Sequence, residues 1–278
     1  MTTTPTTTTT TTATTTTVTA TVTATAMRAI TDSATMTRRQ LKHLWRYPTL
    51  ILTYTGVPVV FLLLFVYVFG GTMGAGIGGD RATYVGYLTP GIIVTAIAGA
   101  AQGTAISVAI DMTEGIIARF KTMAIARVSV LTGHVLGALV QNFIAITTVT
   151  LVAVLIGFRS AASALDWLGV IGLLAMFTFA ITWLSVALAM VTKNVATASN
   201  LPMPLMVLPF LGSGFVPPES MPAPLRWFAE HQPFTPVIET LRELLAGRPA
   251  GTTFLAAAAW SAVIALGSYL WARKLYNR

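Results

Sequence analysis

The stretch YVGYLTPGIIVTAIAGAAQGTAISVAI, residues 84–110, runs for 27 residues without one Asp, Glu, Lys or Arg. A helix needs about 20 largely apolar residues to cross the hydrocarbon core of a bilayer, and a charge at its centre costs about 2.5 to 3.5 kcal/mol. The stretch therefore reads as a transmembrane helix. The same criterion picks out 50–69, 135–158, 167–191, 196–216 and 253–272, and the 17 basic and 9 acidic residues of the chain collect between these runs. With 54% hydrophobic and 9% charged residues over 278 positions, the expected fold class is all-α: a polytopic membrane protein with six transmembrane helices and no sizeable water-soluble domain.

Orientation follows from the basic residues. In the six-span arrangement twelve Lys and Arg fall on the side of the two termini and five on the other. The positive-inside rule then places both termini in the cytosol of a multi-pass protein of the plasma (inner) membrane. The net charge of +8 is concentrated beside span ends, which suits anionic lipid or a cytosolic partner and not a nucleic acid. No cysteine is present, which excludes disulfides, thiol catalysis and Cys-ligated metal. Thr fills eighteen of the first twenty-six positions. Residues 1–35 are accordingly expected to be a disordered, Thr-rich cytosolic tail, and 36–278 a single six-span transmembrane domain.

Outside the spans lie four segments of interest. MTRRQLKHLWRY, residues 36–47, puts Leu41, Leu44 and Trp45 on one helical face and Arg38, Arg39, Lys42 and Arg46 around the other. Such an amphipathic N-terminal elbow helix lies along the membrane surface, either to dock a cytosolic subunit or to anchor in lipid. The Gly-rich run 70–79 reads as an outer loop. After the second span, Asp111 and Glu114 precede Arg119 and Lys121 with Ile116, Ile117, Phe120 and Met123 between them. Acids ahead of bases match the dipole of a short cytosolic helix, and the other reading is an ordinary charged hairpin loop. Residues 219–247 read as an extracellular helical hairpin before the last span, a lid over the outer end of the bundle. In its second helix Thr235 is placed as the cap, Pro236 at the first helical position and Gly247 as the stop.

Inside the spans the polar and small residues are few. Gly91, Thr95, Gly99, Gly103 and Ser107 recur every fourth position and make a small-residue stripe suited to close helix packing. Gln102 and Thr104 beside it need a partner or a wet cavity. The run 196–216 carries Pro202, Pro204 and Pro209, then Gly212 and Gly214, and no helix interrupted in this way is regular throughout. Its freed carbonyls are tolerated only against protein or water, so this span is expected to face the bundle interior. Asn200, Met203 and Met206 join Gln102 and Thr104 as candidate residues of a substrate path. The two methionines supply soft apolar contact area there or simply fill gaps.

Enzyme chemistry is not expected in this chain. No G-x-x-x-x-G-K-[ST] motif occurs, so no P-loop is present to cradle a nucleotide's phosphates. The three histidines, His43, His134 and His231, fall near span ends or outside them. No carboxylate pair or His cluster stands inside a span to suggest a proton-coupled carrier or a metal site.

Six spans, cytosolic ends, an amphipathic elbow and an interrupted fifth span give a chain that resembles the membrane subunits of type-2 ABC transporters. Among these it is most similar to the daunorubicin/doxorubicin-resistance group of drug-exporting permeases. The resemblance runs from about residue 38 to the carboxyl terminus. It is carried most specifically by 111–142 and by HQPFTPVIETLRELLAG, residues 231–247. Members usually have a proline shortly after the Arg-Phe pair of the first segment, where Ala124 stands here.

The resemblance implies an ABC exporter permease, a transport subunit that works with a separate nucleotide-binding ATPase subunit. ATP and Mg would sit on that partner, with no cofactor in this chain. A second permease subunit, most simply a homodimer, and membrane lipid are the other partners implied. Asp111, Glu114, Arg119, Phe120 and Lys121, with Arg39 and Lys42 of the elbow, would receive the ATPase's movements, and the solute would be a hydrophobic drug or antibiotic. A lipid or lipid-linked glycan is the alternative cargo. A membrane enzyme or channel that needs no ATPase is the alternative of another class.

Overall fold

The structure, a computed structural model, describes residues 48–114, 127–192 and 194–276. The expected tail 1–35, the elbow 36–47, and Arg119, Phe120 and Lys121 lie outside the described residues. Among those described there is no strand, and the elements are joined by short turns. Helix α1, Pro48–Leu64, runs through Pro58 into a π turn, Phe65–Phe69, and continues as α2, Gly70–Gly76. The others are α3, Arg81–Thr113; α4, Arg127–Leu155; α5, Ala164–Val191; α6, Val195–Asn200; α7, Met203–Val207; α8, Ala223–His231; α9, Phe234–Leu245; and α10, Thr252–Tyr276.

Five of the described helical stretches are long and apolar enough to cross a membrane: Thr55–Gly76, Arg81–Thr113, Gly133–Leu155, Ala164–Val191 and Thr252–Leu275. The run read as the fifth of six spans, 196–216, is instead broken into α6, α7 and a series of turns. Proline at 202, 204 and 209 deletes successive backbone donors, and the glycines beyond favour turns over a further helical stretch. The Gly-rich 70–79 is also not a loop throughout, because helix persists to Gly76. Its glycines let the end of α2 close on the start of α3. A Cβ at Gly74 would lie 2.5 Å from the Asp80 carbonyl oxygen, closer than packed atoms come.

Helix α3 is the axis of the molecule. At 33 residues it is about 50 Å long, and it packs against α1, α2, α4, α5, α6, α7 and α9. Its N-terminus is set by Asp80, which accepts from the Thr83 backbone N–H at 2.8 Å and from the Thr83 hydroxyl at 2.9 Å. These bonds hold the Asp80 carboxyl below its usual range. Helices α3 and α5 bury most of their surface, whereas α1, α4 and α10 leave most of theirs open. Small residues explain the inner position of α3, since in lipid close approach replaces the apolar driving force available in water. Bulky side chains such as Val60, Leu151, Leu168, Val263 and Leu266 project from the surface, as a bilayer solvent requires.

The turn from α4 to α5 closes with Gly157 at φ +113, a conformation that suits glycine. Helix α5 then opens on a capping box, in which the Ser163 hydroxyl accepts from the Asp166 N–H while the Asp166 carboxylate accepts from the Ser163 N–H.

Residues 219–247 hold two helices, α8 and α9, but α9 does not lie across the helix ends as a lid would. It is wedged among α3, α5 and α10. Phe234 at its start meets Phe177 edge-on, 5.2 Å between ring centroids, about 20 Å along α5 from its first residue. At its other end Leu244 contacts Gly169, near the start of α5. The apolar face Val237, Ile238, Leu241, Leu244 and Leu245 is buried as its spacing requires. Thr235 is not the cap: the helix begins at Phe234 after Pro233, and the Thr235 hydroxyl donates to the Ala229 carbonyl of α8. The stop at Gly247 is formed, with φ +68, Gly247 N–H donating to Leu244 O and Arg248 N–H to Glu243 O. This is the Schellman closure that a left-handed residue permits.

Candidate functional site

The candidate site is the face of α3 against which the broken segment is folded. Gly91 is its closest point. A Cβ built there would stand 2.3 Å from the Gly214 carbonyl oxygen and 2.8 Å from Gly214 Cα, so the two backbones touch. One turn on, the Thr95 hydroxyl donates to Gly91 O at 2.8 Å and is buried. Gly99 differs: a Cβ there meets nothing within 4 Å. Gly103 is half-buried on the same helix. Ser107, at the end of the stripe, has its hydroxyl 3.4 Å from His134 Nδ1 of α4. Equal spacing thus covers unequal environments.

Of the residues read as a substrate path, Gln102 reaches the broken segment. Its amide donates to the Ser199 carbonyl at 3.0 Å, satisfying an acceptor at the end of α6 that has no helical partner beyond the break. Thr104 turns back onto its own helix, donating to Ala100 O at 3.3 Å. Asn200 and Met203 are exposed and Met206 is half-buried. The structure therefore brings Gln102 to this segment by a hydrogen bond and leaves Asn200 and Met203 open on it.

Aromatic rings cover the other side of the break. Phe210 and Phe215 stack with centroids 4.1 Å apart and planes 7° apart, and Phe65 of the π turn lies 4.8 Å from Phe215. The widened π turn carries Phe65 against these two rings, and Phe61 meets Phe210 at 5.8 Å. Such contacts add about 0.5 to 1.5 kcal/mol each beyond area burial.

Two polar groups mark the two ends of α3. Near its start, the Arg242 guanidinium lies 3.8 Å from the Tyr87 ring centroid. Its Nη2 donates to Ser213 O at 2.7 Å, and the Tyr87 hydroxyl donates to the same carbonyl at 3.0 Å. A cation so placed over an aromatic face contributes about 0.5 to 2 kcal/mol. Near the other end, Asp111 and His134 are buried and joined by a 3.0 Å contact between Asp111 Oδ2 and His134 Nε2.

Asp111 therefore does not open a cytosolic helix as its sequence position suggests. It belongs to the last turn of α3, and Glu114 is that helix's exposed C-cap, its N–H bonded to Ile110 O at 2.9 Å. The acid-before-base pattern was read within one segment, whereas Asp111 finds its partner on α4. Arg39 and Lys42 of the expected coupling set lie, like Arg119, Phe120 and Lys121, outside the described residues. Neither the Arg242 cluster nor the His134 pair was expected from sequence.

Helix α3 joins these features along its length. The buried Asp111–His134 contact stands near its last turn, and the interrupted segment lies along it from Gln102 to the backbone crossing at Gly91. A sequence model described as ABC-2 type transporter matches residues 31–246. The chain is also 29% identical, over 228 residues, to the daunorubicin resistance ABC transporter permease protein DrrB1 of Streptomyces coeruleorubidus, covering 79% of this chain and 77% of that one. A match over most of the chain, which takes in α3, the broken segment and the hairpin, makes this protein a member of the ABC-2 type transporter family.

Proposed function

We propose that this chain is the membrane-spanning subunit of an ATP-driven exporter, coupled to a separate ATPase subunit and forming, with a second permease subunit, a path for a hydrophobic compound. The observation that carries the reading is the packing of α3 against a segment that prolines keep from being a continuous helix. A path needs backbone that can rearrange in the bilayer, and such backbone is stable there only against protein or a wet cavity. The name of the relative supports a drug as cargo. The chain itself has no P-loop motif, so the energy enters from the partner, which holds ATP and Mg.

In this mechanism ATP-driven closure of the partner moves the segment around Glu114 and Arg119 at the cytosolic face. Asp111 and His134 tie that movement to α3 and α4 together. Helix α3 carries it to Gly91 and Tyr87, where the broken segment rests. Rotation of the two permease halves then turns an inward-facing cavity outward. Gln102, Thr104, Asn200, Met203 and Met206 line the route, and the absence of acidic or basic residues from α3 between Arg81 and Asp111 favours a lipophilic solute over a strongly charged one.

The test is ATP-dependent accumulation of daunorubicin in inside-out vesicles that contain this chain and its ATPase subunit. Replacing Glu114 and Arg119 together by alanine is expected to lower the rate by about ten-fold or more, equivalent to about 1.4 kcal/mol of lost coupling, with the two subunits still co-purifying. Transport at the unaltered rate would remove the proposed lever.

A further inference from the structure

The backbone from 209 to 217 crosses the Tyr87 end of α3 as a strap without regular helix. It is held at one carbonyl. Ser213 O accepts both the Arg242 Nη2 and the Tyr87 hydroxyl, at 2.7 and 3.0 Å. On one side Gly214 rests on Gly91, and on the other the Gln232 amide reaches over Gly212 to donate to Leu208 O at 2.9 Å. Arg242 is the charged group that donates to this carbonyl.

Two observations show a fastening that can be undone. Arg242 Nε, Ser213 Oγ and Gln232 Oε1 are buried and have no hydrogen-bond partner among the described residues. Buried polar atoms are rarely left so, and a second arrangement or entering water would satisfy them. Glu239 also stands three residues before Arg242 on the same face of α9, near enough for the two charges to interact. The guanidinium thus has a carboxylate within reach on its own helix.

We infer that Arg242 is a latch that holds the 209–217 strap shut across the Tyr87 end of the path, and that it exchanges the Ser213 carbonyl for Glu239 when the strap opens. The event that opens it rests on the export reading; the latch itself does not. Opening would expose Ser213, which is completely buried here.

The chain has no cysteine, so Ser213→Cys supplies a single thiol, and it leaves the backbone carbonyl that Arg242 and Tyr87 bind in place. The full chain with its ATPase subunit is labelled by a membrane-impermeant maleimide from the outside of intact cells. S213C alone is expected to be protected without nucleotide. S213C with Arg242→Met is expected to label about ten-fold faster or more, as loss of a charge-assisted hydrogen bond implies, and S213C with Arg242→Lys to regain most of the protection. Tyr87→Phe keeps the ring under the guanidinium and removes one donor, so it should give a smaller increase. It decides the question if the Arg242→Met protein fails to assemble. Labelling as slow as in S213C alone for these variants overturns the latch. A separate arm, trapping the partner with ATP and vanadate, should expose the introduced thiol in S213C with no second substitution. If the Arg242→Met arm succeeds and the nucleotide arm does not, the latch stands and the export reading falls.

Discussion

Replacing Gly91 by alanine is expected to destabilise the folded subunit by about 3 kcal/mol, the upper part of the usual range for overpacking. The added methyl would stand 2.3 Å from Gly214 O and 2.8 Å from Gly214 Cα. Both neighbours are backbone, so no side chain can swing aside. Helix α3 cannot retreat either, because α4 and α5 hold it from other sides. Gly99→Ala is the control, since its methyl meets nothing within 4 Å and alanine is the better helix former by about 1 kcal/mol. Thermal unfolding of the purified subunit in detergent compares the two. Similar midpoints for both variants would mean that α3 and the strap do not touch at this crossing.

The second large effect is expected at the other end of α3. Asp111→Ala removes one member of a buried pair whose side chains are only 10% and, for His134, 4% exposed. The expected cost is about 3 kcal/mol, because breaking a buried pair takes from the remaining polar group a contact that offsets its burial. His134→Leu should cost a comparable amount. The double variant, Asp111→Ala with His134→Leu, should cost clearly less than the two single changes added together, with a coupling of about 1 to 3 kcal/mol. Additive losses in that cycle would show that the 3.0 Å contact carries no energy. The same variants should uncouple ATP hydrolysis from transport, since the pair joins α3 to α4 beside the segment proposed to meet the ATPase.

These two sites show where the sequence is informative. Apolar runs free of charge located the membrane helices because insertion energy depends on local composition. The proline cluster at 202–209 foretold a break because a missing N–H is a local fact. Spacing of four revealed a stripe on α3, yet nothing local distinguishes Gly91, which touches Gly214, from Gly99, which touches nothing within 4 Å. The glycines of 70–76 read as a loop since each disfavours helix by about 1 kcal/mol. Docking of α2 on α3 overrides that preference. Asp111 reads by its charge as part of a following helix, but a partner, His134, lies 23 residues on. Arg242 has Glu239 and Glu243 beside it in sequence on α9. Its bonds go to carbonyls 29 and 155 residues away, and contacts of that kind become visible only once the chain is folded.

The account as a whole depends on energy reaching α3 from the cytosolic side, just beyond Glu114. The chain has no cysteine, so Thr122→Cys provides a single reporter in that segment. A membrane-impermeant maleimide should label it in inside-out vesicles and leave it untouched in intact cells. Labelling from the outside of intact cells would place the segment on the wrong face for an ATPase and contradict the account.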